Sequence, residues 1–189
     1  MTVVAVTGVG RSTVSLFSGV ASMNTAMVGA STAGTLIASA AAGPGCSGLP
    51  AAFGVLGSAL GTLAAGTLVA RRGSRPVLLG MYGLAAVGAA VAFGAAAGTL
   101  LAVLLAGMVL LGVGNGAAQF SRYVAAELYP AQRRGFALSV IVWAGTVGAV
   151  AGPALLAPGA HAAGWLGLPP LAGPVLVAGV AVVLALGAT

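Results

Sequence analysis

Apolar residues run along this chain in long unbroken stretches, and polar groups gather in the short breaks between them. The stretches cover about 14–40, 50–70, 76–97, 99–121, 136–157 and 170–188. The breaks are Gly43-Pro44-Gly45 to Pro50, the Arg71–Arg75 segment, Gly98, Arg122 to Gly135, and Pro158 to Pro170. A helix rising 1.5 Å per residue needs about 20 residues to cross a hydrocarbon core of about 30 Å. Each stretch meets that length. A membrane barrel would show alternating strands of about ten residues, and runs this long and this rich in Ala, Leu and Gly exclude it. The pattern predicts an all-α integral membrane bundle of six transmembrane helices, one domain over 1–189. The third break is so short that the third and fourth spans form a tight antiparallel hairpin.

Composition strengthens this expectation. Hydrophobic residues make up 60% of the chain and charged residues 4%, against about 25% charged in a soluble domain. Eight charges cannot solvate the surface, so the lipid bilayer is the partner of most of it. The net charge of +6 does not indicate nucleic acid. A nucleic-acid binder groups its basic residues on one face or stripe, whereas these seven arginines occupy three breaks. Arg11 precedes the first span, Arg71, Arg72 and Arg75 follow the second, and Arg122, Arg133 and Arg134 follow the fourth. The alternate connections hold none. The positive-inside rule then predicts a multi-pass protein of the cell membrane with both termini cytoplasmic. Ala38-Ser39-Ala40 has the form of a signal cleavage site, but the apolar stretch before it far exceeds the 7–15 residues of a signal core. The single Cys46 excludes an internal disulfide.

Polar side chains inside a span are costly unless they face the bundle interior or water. Positions i, i+4 and i+7 share a helix face. Asn115, Gln119 and Arg122 have this spacing in the fourth span, and Ser139, Trp143 and Thr146 in the fifth. Asn24, Ser31 and Thr35 line up in the first, beside Thr25 and Thr32. The Ser and Thr hydroxyls can equally bond their own backbone carbonyls. The candidate substrate path is therefore Asn24, Asn115, Gln119, Trp143 and Thr146. No catalytic residue, metal site or cofactor is expected. The chain holds no paired carboxylates, no metal-ligand cluster and no Cys–His pairing, and His161 lies in an outer connection without an acid to orient it.

Gly66-Thr67-Leu68-Val69-Ala70-Arg71-Arg72-Gly73-Ser74-Arg75-Pro76-Val77-Leu78 resembles the signature loop of the major facilitator superfamily, written G-x-L-a-D-r-x-G-r-k-x-x-l. Gly66, Leu68, Arg71, Gly73, Arg75 and Leu78 match, between the second and third spans as in the family; Ala70 stands at the family's aspartate. Ala126-Glu127-Leu128-Tyr129-Pro130 with Arg133-Arg134-Gly135 looks like the family's connection between its fourth and fifth spans. In the fifth span, Gly148, Gly152 and Pro153 are similar to the drug/proton antiporter motif g-x-x-x-G-P-x-x-G-G, with Leu156 and Ala157 at its closing glycines. Met108, Leu110 and Leu111 occupy the window where many members carry a fourth-span arginine.

The resemblance implies a small-molecule transporter, with efflux as one direction. It makes Gly66, Arg71, Gly73 and Arg75 a conformational loop whose glycines let the turn lie close to neighbouring helices. It makes spans one, four and five cavity-facing. Arg122, Glu127, Arg133 and Arg134 are expected to form a cytoplasmic charge cluster, Gly148 and Gly152 to pack helices, and Pro153 to bend one. Family members have about twelve spans in two halves, each a pair of inverted three-span repeats. This chain then needs a second six-span half: further along the same chain, a second copy, or a separate subunit. The apolar run Val182–Thr189 at its end fits the first of these. A membrane assembly protein that moves nothing, or an inactive transporter fragment, is the alternative.

Overall fold

The structure, a computed structural model, describes residues 2–98, 100–127, 129–165, 167 and 172–188, with side chains from Thr13 onward except those of 96–98 and 127. Among these residues the fold is wholly helical: α1 (Thr2–Ala42), α2 (Leu49–Arg72), α3 (Ser74–Gly98), α4 (Leu101–Glu127), α5 (Arg134–Ala154), α6 (Leu156–Trp165) and α7 (Ala172–Ala188). Short 3-10 turns, Pro44–Cys46 and Ala131–Arg133, precede α2 and α5. Five of the helices are long and apolar enough to cross a membrane. The last apolar helix, α7, has 17 residues, or about 25 Å at 1.5 Å per residue.

Three boundaries differ from the sequence expectation, each for a local reason. Helix α4 runs to Glu127 rather than stopping near 121, because Ser121 and Ala125 carry its buried face onward until Pro130 forbids a further turn. Arg122, expected in a connection, is therefore a helical residue. The fifth stretch breaks at Leu155. Pro153 sits in the last turn of α5 without ending it, and Pro158, with no N–H for the Ala154 carbonyl and a ring that would clash with it, prevents the same helix from continuing. The connection expected at Pro158–Pro170 is instead helical up to Trp165. Pro158 is the third residue of α6, where no intrahelical donor is required.

Gly73 alone joins α2 to α3. Its φ of 82° is a conformation that L side chains avoid, and its N–H closes α2 on the Val69 carbonyl at 2.9 Å. The close approach expected of this glycine is not present. A Cβ on Gly73 would meet nothing within 4 Å, so its glycine serves the backbone conformation.

Helices α1 and α4 form the centre. Helix α1 packs on α5, α7, α4 and α2, and α4 packs on α2, α3, α1 and α5, while α3 meets α7. Exchanging α1 with α4, α2 with α5 and α3 with α7 leaves this set of neighbours unchanged. Among the described residues the contact of α2 with α3 alone has no comparable counterpart between α5 and α7, which are separated in sequence by α6. Directions follow from which residues touch. Gly57 and Gly61 of α2 approach Val109 and Val113 of α4 in ascending order, so these two helices are parallel. Gly148 and Gly152 of α5 likewise climb α1 from Ala21 to Thr25 and Gly29. Helix α7 runs opposite to α1, with the Ser15 hydroxyl donating to the Ala188 carbonyl.

Small residues make these contacts possible. A Cβ on Gly57, Gly61, Gly112 or Gly116 would run into backbone of the facing helix. Backbones this close gain van der Waals contact along their whole length, the main source of helix association where lipid competes equally for apolar side chains. Gly88 with Gly107 does the same between α3 and α4, and Gly159 with Gly173 between α6 and α7.

Candidate functional site

Most hydroxyls in the bundle are used up locally. Thr25, Thr32, Thr35, Ser58, Ser121, Ser139 and Thr146 each donate to the carbonyl four residues earlier. A hydroxyl satisfied this way imposes little polarity on its surroundings. The amides and the arginine have no such internal outlet, so their positions decide where a polar site lies.

Three of the candidates come together. Asn24 of α1, Gln119 of α4 and Thr146 of α5 line one cavity of about 320 Å³, and Arg122 of α4 joins them. Val20, Ala118, Ile141, Val142, Gly145 and Ala149 complete its wall. Glycine sets the geometry here as well. A Cβ on Gly145 would lie 3.0 Å from the Asn24 amide nitrogen, and one on Gly148 would lie 2.7 Å from the Asn24 Cβ. The cavity exists because α5 presents glycine, not bulk, to Asn24. Arg122 is held in place by its Nε, which donates to the Gln119 carbonyl at 2.9 Å, and its guanidinium carbon lies 5.7 Å from the Tyr123 ring centre. Among the described residues the side-chain amides of Asn24 and Gln119 have no hydrogen-bond partner.

Two candidates lie elsewhere. Asn115 turns towards α2, donating from Nδ2 to the Ser58 hydroxyl at 3.1 Å. Its Oδ1 is buried without a partner. Trp143 is 67% exposed on the outside of α5 and does not line the cavity. The arginines of the expected charge cluster divide: Arg122 lines the cavity, whereas Arg133 and Arg134 are exposed at the start of α5. The Glu127 side chain lies outside the described residues, as does that of Arg11. Arg71 and Arg75 are exposed on either side of Gly73, and Gly66 faces Phe120, where a Cβ would be in ordinary contact at 3.8 Å. Gly148 and Gly152 face α1, and Pro153 lies in the last turn of α5.

Two features of the bundle carry no motif in the sequence. One is a buried pair, Tyr82 of α3 and Ser121 of α4, which are 1% and 0% exposed and hydrogen-bonded to each other. The other is an internal correspondence. Asn24 and Asn115, Gly54 and Gly145, Gly57 and Gly148, and Gly61 and Gly152 are pairs at one constant offset of 91 residues. Each pair relates α1 to α4 or α2 to α5, the same exchange that preserves the neighbours of α1 and α4. Comparing the chain with itself would have found it.

The chain matches no family model, no curated protein and no solved structure in comparisons with each.

Proposed function

We propose that this chain is a six-span half of a major-facilitator-type transporter, moving a small molecule across the cell membrane with both termini in the cytoplasm. The observation that carries this proposal is the cavity walled by α1, α4 and α5, where Asn24, Gln119, Arg122 and Thr146 converge in an otherwise apolar bundle. Polar groups are expensive in lipid and collect where a water path or solute needs them. A protein built only to hold partner helices has no use for this convergence. The exchange of α1–α2–α3 with α4–α5–α7 supports the architecture, because inverted three-span repeats place a solute site near their interface. The antiparallel course of α7 against α1 supports a sixth crossing despite its length.

The cavity is tested without knowing the substrate. In a Cys46→Ser background, Asn24→Cys and Thr146→Cys in membrane vesicles are expected to react with a membrane-impermeant thiol reagent. Leu84→Cys, on the outer face of α3, is expected to stay inert. Two unreactive cavity cysteines would remove the water-filled path and with it the transport proposal.

Topology is a separate prediction. Reporter fusions after Arg75 and Arg134 should read cytoplasmic, and fusions at Gly45 and Gly167, both exposed, should read external. A cytoplasmic signal at Gly167 would leave five crossings and refute the half-transporter arrangement.

A further inference from the structure

We infer that the solute bound between α1, α4 and α5 is a small organic anion whose carboxylate- or phosphate-type oxygens sit at Arg122; this inference rests on the transport proposal above. Among the described residues Arg122 is the one charged residue lining the cavity. Its Nε is committed to the Gln119 carbonyl, so the guanidinium is oriented while its two terminal amino groups stay available, the fork geometry that suits an oxyanion. Among the described residues no carboxylate lines this cavity. A half-buried cation without a counter-charge carries a desolvation cost that a bound anion offsets and a bound cation worsens. The amide NH₂ groups of Asn24 and Gln119 add two donors, while Thr146 has already spent its hydroxyl proton on Val142.

The rest of the wall sets the body of the ligand. Val20, Ala118, Ile141, Val142 and Ala149 are apolar, so the anionic head belongs on an apolar frame. The volume of about 320 Å³ is at the small end for ligand sites, the size for a one-ring solute. The same oxyanion chemistry occurs in a lipid headgroup. Arg122 lies near the end of α4 that leads to Arg133 and Arg134, so a headgroup phosphate is the competing source.

Benzoate, benzamide and benzylammonium share one ring and differ in charge, which makes them suitable probes. The purified chain in phosphatidylcholine nanodiscs is titrated with each by calorimetry. Benzoate is expected to bind about ten-fold or more tightly than benzamide, and benzylammonium not to bind. Arg122→Gln should erase that preference, and Arg122→Lys, which keeps the charge but loses the fork, should keep part of it. The benzoate-to-benzamide ratio in the unaltered chain reads the inference even if Arg122→Gln does not fold. Equal binding of benzoate and benzamide, no binding of benzoate, or wild-type benzoate affinity in a folded Arg122→Gln variant would each overturn the anion assignment. The thiol reactivity of Asn24→Cys then says independently whether the water-filled cavity, and so the transport proposal, survives. Repeating the benzoate titration with phosphatidylglycerol in the discs separates the sources. Unchanged affinity supports a free solute, and about a ten-fold loss would assign Arg122 to a headgroup and overturn the soluble-anion inference.

Discussion

Replacing both Gly112 and Gly116 with valine is expected to destabilise the bundle severely. A Cβ on Gly112 would enter the Gly54 carbonyl and lie 2.9 Å from the Gly57 Cα; one on Gly116 would lie 2.6 Å from the Thr62 nitrogen. These obstacles are backbone, so no rotamer change relieves them. The helices must part, and each overpacked site costs about 1–3 kcal/mol, with further loss of contact along the seam. A folded domain holds only about 5–15 kcal/mol in total. Two such sites one helical turn apart therefore take a large share of it. Gly80→Val is the control, being on an outer face with nothing within 4 Å of its Cβ. The measurement is the thermal midpoint and the gel-filtration profile in mild detergent. The double variant should aggregate or melt far below the control. A midpoint matching that of Gly80→Val would show that α2 and α4 are not held by backbone contact.

The helical class and most of the breaks were legible because the chain punctuates itself. Arginines, Gly43-Pro44-Gly45 and Gly73 interrupt apolar runs that have no other use than to be helices. What periodicity could not supply was direction around the axis relative to neighbours. Spacing placed Asn115, Gln119 and Arg122 on one face, and at about 100° per residue Asn115 lies between the other two around the axis. Height separates it: Asn115 sits about 6 Å from Gln119 and about 10 Å from Arg122 along α4, at the level of Ser58 on α2 rather than of the cavity. Trp143 and Thr146, three residues apart, differ by about 60° around α5. Arg122 was read as a loop charge because charge marks breaks in a membrane sequence, and only the buried Ser121 and Ala125 reveal that the helix continues. The correspondence at 91 residues was present in the letters but without force. In a chain with 32 glycines, coincident glycines are common. They acquire meaning when Gly57 and Gly61 are found pressed against α4 and their counterparts Gly148 and Gly152 against α1.

The second large effect is all-or-none: purified chain that is truly monomeric is expected to move no solute. Helices α2 and α5 are the least covered of the spans, 22% and 28% buried against 50% for α1 and α4. Their outer stripes, Leu56, Leu60 and Leu63 on one and Trp143, Val147 and Val150 on the other, are broad apolar surfaces. Lipid can cover those stripes as well as protein can. It cannot cover the cavity wall, where Asn24, Gln119 and Arg122 sit against an exposed Thr146. Unpaired amides within a span, and a guanidinium turned inward from near its end, are costly to leave facing lipid. A second six-helix unit that turns its own polar wall inward removes the cost and closes the path, whether it comes from the same chain, another copy or a different subunit. The chain alone in mild detergent should therefore run at a protein mass of at least about twice 17.8 kDa or, where it stays single, give no flux in vesicles. Light scattering gives the mass and vesicle flux of the tightest-binding probe gives the activity, measured on the same fractions. A monodisperse monomer that carries solute would refute the two-half arrangement and place the whole path inside one six-helix bundle.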